Sequence, residues 1–131
     1  MVDSMSIALS GLSAQKTRLA TAANNIANMH TNGRTAGDGQ NATAYTPKET
    51  TLHSQAPAGV RAEVTDRPDS VTQRYDPSSI YADAKGMIAA PDISLETEIM
   101  DMKTAEIAYK ANIGLIKASE EMQDSLLETL A

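Results

Sequence analysis

The sequence predicts a mainly α-helical chain with a small β insert. Long N- and C-terminal helices are expected to pair as a coiled coil, with a short β-hairpin-like central segment between them. Both ends of the 131-residue chain carry apolar residues at helical spacing, whereas the middle has short alternating runs separated by prolines. The chain also lacks Phe, Trp and Cys, so the usual large aromatic contributors to a core are missing. The predicted parts are an N-terminal coiled-coil helix (1–32), a loop with a small β-rich insert (33–90) and a C-terminal coiled-coil helix (91–131).

The first helix is predicted over residues 4–29. Its apolar residues recur every seven positions, which is the spacing of a coiled-coil seam. This row is Met5, Leu12, Leu19 and Ile26, and a companion row three residues on reads Ala8, Gln15, Ala22 and Met29. Asn32-Gly33 is typical of a helix stop. Gly11 and the asparagines have weak helix propensity, so we expect this helix to be marginal alone.

The middle of the chain is predicted to start as a loop and to continue as short strands. Residues 31–44 contain Asn-Gly and Asp-Gly steps and small polar residues, which favour turns. Candidate strands follow at 45–53, 60–64 and 70–75, where apolar and polar residues alternate. Because large apolar residues are few here, we expect at most a small β-hairpin or a three-stranded unit.

The last helix is predicted over residues 92–130, directly after Pro91. Its apolar stripe is Leu95, Ile99, Met102, Tyr109, Ile113, Ile116, Leu127 and Leu130, and a neighbouring row reads Ala105, Asn112, Ser119 and Leu126. Asn112 and Gln123 are polar positions on this seam. Single polar seam residues fix the register and the choice of partner at some cost in stability.

Charge is unevenly distributed along the chain. The formal net charge is −6, and residues 91–131 carry all of it, with nine acidic and three basic residues. A nucleic-acid-binding protein needs a basic face to displace counterions, and a membrane-surface helix needs Lys and Arg on its polar side. The sequence therefore predicts no nucleic-acid partner and no direct membrane insertion. It also lacks the basic n-region and apolar core of a cleavable signal peptide.

No catalytic or metal-binding pattern is evident. Without Cys, the usual thiolate sites are excluded, and neither His30 nor His53 lies in a metal-binding motif. The glycine-rich stretch 33–39 lacks the Gly-Lys-Ser/Thr ending of a phosphate loop. We therefore expect no enzymatic activity and no cofactor. A small hydrolase that uses one of the two histidines is the weakest of the hypotheses.

The end of the first helix is rich in amides. Asn24 and Asn28 are four residues apart and share a face, and Asn25 flanks that face. One interpretation is that these residues fray and cap the helix end. The other is that this face is buried against other subunits, where amides form hydrogen bonds without carrying charge. The residues alone leave both interpretations open.

Two segments at the ends of the chain resemble a known family. They are ALSGLSAQKTRL (8–19) with AANNIAN (22–28), and EIMDM (98–102) with YKAN (109–112). Together they resemble the terminal signatures of the bacterial flagellar axial proteins, which form the rod, the hook and the hook-associated segments. YDP (75–77) and ADAKGMI (82–88) are similar to the segment that precedes the last helix in a proximal rod protein.

The resemblance implies a structural subunit of the flagellar basal-body rod, which transmits torque and polymerises through its terminal helices. It further implies export through the flagellar type III apparatus without a cleaved signal, a place in the periplasmic rod, and partners that are copies of itself and other rod proteins. The expected assembly interface is Leu12, Leu19, Asn24, Asn25, Ile26, Asn28, Ile99, Met102, Tyr109, Asn112, Ile113 and Ile116. A regulatory or chaperone-like coiled-coil binding protein is the alternative.

Overall fold

The computed structural model describes residues 4–37 and 41–130 and confirms the mainly helical fold class. Asp38 and Gly39 of the predicted loop lie outside these residues. The elements are α1 (Ser4–Ala27), β1 (Lys48–Ser54), β2 (Val60–Asp66), β3 (Val71–Tyr75), β4 (Met87–Pro91) and α2 (Leu95–Leu130). Both predicted helices are present, with ends that differ from the prediction by up to three residues.

The two helices run antiparallel. Asn25, near the end of α1, contacts Glu98, near the start of α2, and Gly11, in the first half of α1, lies against Asn112. The apolar residues that the two helices bury are small: Ala8, Ala14, Ala22 and Ala105 are each at most 3% exposed. Beyond this paired region, residues 120–129 of α2 are exposed along their whole length.

The first hairpin lies against α1. β1 and β2 pair antiparallel over seven residues, from Lys48 opposite Asp66 to Ser54 opposite Val60. The Thr50 hydroxyl donates to the Thr21 hydroxyl at 2.9 Å, and the turn end of the hairpin approaches Ser10. At Gly59 the backbone has φ +112°, and a Cβ there would lie 2.6 Å from Ser10 Oγ, so this close approach requires glycine.

A second antiparallel pair, β3 with β4, was only half predicted. β3 matches the expected strand, whereas β4 was missed. In place of a three-stranded unit, the described part of the insert contains two separate two-stranded sheets. β4 contains the buried residues Ile88, Ala89 and Ala90, and Ala89 also bridges to Gly33. Alanine and proline have low strand propensity, so this short run carries little strand signal in the sequence.

Candidate assembly surface

A polar cluster, here called the polar joint (Asn25, Tyr45, Lys48, Arg67 and Glu98), connects the two helices to the first hairpin. Asn25 lies at its centre and is 0% exposed. Its amide nitrogen donates to the Lys48 carbonyl at 2.8 Å and to Glu98 Oε2 at 3.1 Å. Its amide oxygen accepts from the Tyr45 hydroxyl and from the Lys48 backbone N–H, both at 2.9 Å. All the hydrogen-bonding capacity of this buried amide is thus used within the chain.

Glu98 extends the polar joint to the segment that follows β2. Its side chain is only 2% exposed, and Arg67 Nη2 donates to Glu98 Oε1 at 2.8 Å. A buried carboxylate is tolerated only where charge and hydrogen bonds compensate for lost hydration. Burial raises the pKa of Tyr45 above its usual value, and the charge of Lys48 opposes this effect only in part. The phenol therefore stays protonated and remains a donor to Asn25.

Beside the polar joint lies a cleft of about 240 Å³ with charged walls. Arg18 Nη2 pairs with Asp101 Oδ1 at 3.3 Å on one side, and Lys48 Nζ pairs with Asp66 Oδ1 at 2.6 Å nearby. Three cationic and three anionic side chains line this cleft, so it presents no net charge to a ligand. Over residues 4–37 and 41–130, no group of three or more His, Asp or Glu side chains is placed to hold a metal ion.

The histidines lie apart from the polar joint. His30 is exposed just beyond the end of α1. His53 is exposed on β1, where its Nε2 lies 3.5 Å from Glu63 Oε2 on the neighbouring strand. Neither side chain lines the cleft.

The three asparagines at the end of α1 have different places in the structure. Asn25 was expected at the assembly interface, but its side chain is enclosed by this chain's own β1 and α2. Asn28 closes the helix end, because its Nδ2 donates to the Asn24 carbonyl at 2.9 Å and its Oδ1 accepts from the Thr31 hydroxyl at 3.1 Å. Asn24 is exposed. Asn28 thus caps the helix end, whereas Asn25 is buried within its own subunit, and burial of this face against other subunits stays a prediction.

Asn112 lies at the helix-helix contact, directly over Gly11. A Cβ built at Gly11 would be 2.8 Å from Asn112 Oδ1 and 2.9 Å from Asn112 Nδ2. The same Nδ2 donates to the Ala108 carbonyl one turn earlier, at 2.9 Å. Gly11 therefore makes the space in which the Asn112 amide sits. Sequence reasoning treated this glycine only as a helix-weakening residue and missed its pairing with Asn112.

The large apolar residues expected at the assembly interface lie at the border of the contact between α1 and α2. Leu19, Ile99 and Tyr109 are between 37% and 45% exposed. The others are half-buried: Leu12, Ile26, Met102, Ile113 and Ile116. The buried centre is instead the companion row of α1, with Ala8, Gln15 and Ala22, opposite Ala105 of α2.

A second apolar stripe on α2 was not singled out from the sequence. This outer stripe consists of Met100, Ile107, Leu115, Met122 and Leu126, each between 62% and 70% exposed. The steps between its members are seven, eight, seven and four residues, which keep them on one face of a helix with 3.6 residues per turn. A strict seven-residue frame hides this stripe, whereas a 3.6-residue periodicity reveals it.

An apolar depression, here called the helix notch, lies where α1 and α2 meet on the side of Leu19 and Tyr109. Its volume is about 230 Å³, and its walls are almost wholly apolar. The lining residues are Gln15, Lys16, Leu19, Ala105, Glu106 and Tyr109. The buried Oε1 of Gln15 has no hydrogen-bond partner in the described part of the chain.

Comparisons with known proteins agree with one another. A family model described as "Flagella basal body rod protein" matches residues 5–33. The flagellar basal-body rod protein FlgC of Agrobacterium fabrum is 36% identical and aligns with 95% of this chain and 91% of its own length. Proteins of the same name from Borreliella burgdorferi (30% identical) and Salmonella typhimurium (31% identical) align with 99% of this chain and 97% and 96% of their own lengths.

Neither helix has the combination of length and apolarity that a bilayer crossing requires, within residues 4–37 and 41–130.

Proposed function

The chain belongs to the FlgC family of flagellar basal-body rod proteins, and from this premise we propose that it polymerises through the exposed apolar surfaces of its two helices. It is a structural subunit of the rod. The observation that carries the proposal is the outer stripe, which leaves large apolar side chains of α2 in water along most of the helix. Exposed apolar surface of this extent is typical of an interface between proteins.

The distribution of side-chain size supports this assembly mode. Within the chain the helices meet through alanine, glycine and amide side chains, while the Leu, Ile and Met side chains are at the border or outside. Burial of a Leu or Ile side chain is worth about 1.5–3 kcal/mol. A single subunit leaves most of that stabilisation unused on α2, and neighbouring subunits would supply it.

The last eleven residues of α2 support the same conclusion. This overhang (120–130) is helical and, over 120–129, exposed on every side. It carries the carboxylates of Glu120, Glu121, Asp124 and Glu128 together with the apolar Met122, Leu126 and Leu127. An isolated helical segment of this length is marginal in water. We propose that in the rod it lies against neighbouring subunits through its apolar side.

The finer aspects of the function follow from family membership and are part of the proposal. The partners would be copies of this chain, other rod proteins and, before assembly, the flagellar type III export apparatus. The subunit would lie in the periplasmic part of the basal body and transmit torque, without catalysing a reaction. The names of the relatives favour this function over a regulatory or chaperone-like coiled-coil binding protein.

The outer stripe can be tested by substitution with glutamine, which is polar and has good helix propensity. We expect Ile107→Gln and Leu115→Gln to abolish swimming in soft agar when each is the only copy in the cell. Each substitution should shift the free energy of unfolding of the purified subunit by no more than about 0.5 kcal/mol, because the sites are exposed. The matched control is Lys117→Gln, an exposed position of α2 outside the stripe, which should swim normally.

The decisive quantity is incorporation of the subunit into isolated basal bodies, measured by immunoblotting against a constant basal-body component. Loss of incorporation in both stripe variants, with Lys117→Gln incorporated normally, supports assembly through α2. Normal incorporation of both stripe variants contradicts it, and absence of even the unsubstituted chain from basal bodies contradicts its role as a rod subunit.

A further inference from the structure

The methionines of this chain divide into two groups by exposure. The chain has seven of them, and all but Met1 lie in the described residues. Four are half-buried: Met5, Met29, Met87 and Met102. The other two are exposed, Met100 by 70% and Met122 by 64%, and both belong to the outer stripe. The exposed thioethers of the described residues are therefore confined to the surface through which the subunit is proposed to assemble.

With no cysteine in the chain, methionine is the side chain that hydrogen peroxide oxidises most readily. The methionine sulfur attacks one oxygen of the peroxide, so that an S–O bond forms and the O–O bond breaks. The proton on the transferred oxygen then passes to the leaving hydroxide, and the products are methionine sulfoxide and water. Access to the sulfur controls this step, so Met100 and Met122 should be oxidised before the half-buried methionines.

Oxidation changes the outer stripe from an apolar surface to a partly polar one. A sulfoxide oxygen is a hydrogen-bond acceptor, and its burial without a donor is unfavourable. Thr104, one turn along α2 from Met100, already donates its hydroxyl to the Met100 carbonyl at 2.8 Å. Between the two methionines the stripe consists of Ile107 and Leu115, whose side chains offer no donor. An apolar contact that covers the stripe would therefore leave the sulfoxide oxygens without partners.

The same oxidation should leave the fold of the single subunit intact. Both sulfurs lie on the exposed face of α2, where water can hydrate a sulfoxide oxygen. The buried centre of the helix pair consists of Ala22, Ala105 and other side chains without sulfur. Oxidation at Met100 and Met122 thus acts on assembly and spares folding.

We propose that Met100 and Met122 are modification sites, at which hydrogen peroxide converts the free subunit into a folded form that does not assemble. The proposal rests on assembly through the outer stripe and adds a control of that assembly by an oxidant. The modification is reversible, because methionine sulfoxide reductases return both sulfoxide epimers to the thioether.

The test measures which oxidised subunits enter the rod. The subunit accumulates in cells that lack methionine sulfoxide reductases, receives a short pulse of hydrogen peroxide, and assembles after the peroxide is removed and the remaining flagellar genes are induced. Mass spectrometry then gives the sulfoxide fraction at each methionine in isolated basal bodies and in the unassembled pool. At Met100 and Met122 we expect a fraction about tenfold lower in basal bodies, a factor equivalent to about 1.4 kcal/mol.

The matched control is Lys117→Met, which adds an exposed methionine on α2 outside the outer stripe. The sulfoxide fraction at position 117 should be the same in basal bodies and in the unassembled pool. In cells that keep their reductases, the depletion at Met100 and Met122 should disappear. Circular dichroism of the purified, peroxide-treated subunit should match that of the untreated subunit.

A second measurement separates failure of this proposal from failure of the assembly surface. Isolated basal bodies and the purified subunit are treated with peroxide, and Met100 and Met122 should react more slowly in basal bodies. If both are protected there but subunits with sulfoxide at these positions are incorporated as readily as others, the proposal is overturned and the assembly surface stands. If both react as fast in basal bodies as in the free subunit, the outer stripe is not buried and both proposals fail.

Two further results overturn the proposal. Equal depletion of sulfoxide at position 117 would attribute the loss of incorporation to general oxidation. Unfolding of the peroxide-treated subunit would show that oxidation acts on the fold. Depletion confined to Met100 and Met122, in a subunit that stays folded, supports it.

Discussion

The inner and outer faces of the helix pair differ in composition. The inner face buries Ala22, Ala105 and the polar pair Asn25 and Glu98. The outer face of α2 exposes the Met, Ile and Leu side chains of the outer stripe. In a self-sufficient domain the larger apolar side chains would be the buried ones.

This difference separates two tasks. The inner face determines how one subunit folds, because small side chains and a hydrogen-bonded cluster permit one arrangement of helices and hairpin. The outer face has little to do with that fold and is free to interact with other subunits. Substitutions inside should therefore affect the stability of the purified subunit, and substitutions outside should affect assembly.

The largest effect on stability is expected at the centre of the polar joint. Asn25→Ala removes four hydrogen bonds and leaves the buried Glu98 carboxylate and the Lys48 backbone groups with fewer partners. Each unsatisfied buried group costs about 1–3 kcal/mol, so we expect a loss of about 3 kcal/mol or more. Urea unfolding followed by circular dichroism measures this loss.

Asn24→Ala is the matched control for that experiment. Asn24 precedes Asn25 on the same helix but is exposed, so its replacement should change the free energy of unfolding by less than about 0.5 kcal/mol. Equal losses for the two variants would mean that the asparagines act only through local helix-end effects and that the inner face is not specially constrained.

A smaller effect on stability is expected where Gly11 meets Asn112, and its sign should depend on whether the Asn112 side chain is present. Gly11→Ala gains about 1 kcal/mol in helix propensity but places a Cβ 2.8 Å from Asn112 Oδ1, and overpacking costs about 1–3 kcal/mol. We expect net destabilisation of about 1 kcal/mol in the otherwise unchanged chain. In an Asn112→Ala background the space is open, and the same substitution should stabilise by up to about 1 kcal/mol.

This double-mutant cycle measures whether the inner face is closely packed. If Gly11→Ala has the same effect with and without the Asn112 side chain, the two residues do not interact, and the helices have more room at this point than the structure indicates. Ser13→Ala, an exposed position two residues along α1, controls for the general effect of alanine on the helix.

Prediction from the sequence succeeded where a local pattern determines the structure. The seven-residue repeats located α1 and α2, and alternation located β1, β2 and β3. The pattern did not reveal that the row with Ala8 and Ala22 would face α2 while Leu19 remained partly exposed. Hydrophobicity alone favours the larger residues for a seam, whereas the close approach of Gly11 to Asn112 selects the smaller ones.

The roles of individual polar residues were harder to predict because they depend on distant partners. Asn25 and Glu98 are 73 positions apart, and Arg67 lies between them in sequence, so no local pattern connects the three. β4 was missed for a related reason. Its strand pairing comes from Val71–Tyr75 and Gly33, while its own alanines have little preference for strands.

The smallest expected effect comes from an ion-pair cluster on the outside of α2, and it follows pH. Lys110 and Lys103 hydrogen-bond to Glu106 at 2.7 and 3.1 Å and lower the pKa of its carboxyl from 4.5 to about 2. Because the folded-state pKa is the lower one, the stabilisation is fully present above pH 4.5 and is lost as the pH falls toward about 2. Solvent and salt screen these exposed groups, so the effect should be small and weaker in 1 M salt.

The measurement is the difference in melting temperature between the unsubstituted chain and Glu106→Gln across that pH interval. We expect the unsubstituted chain to melt slightly higher at neutral pH and the difference to vanish near the lower pH. Glu120→Gln, at an exposed carboxylate for which the described residues provide no ion pair, should show no such convergence. A difference in melting temperature that grows on acidification would contradict the predicted direction of the Glu106 effect. A loss as large as that of Asn25→Ala would show that exposed charges of α2 also determine the fold of the single subunit, and the division between inner and outer faces would then fail.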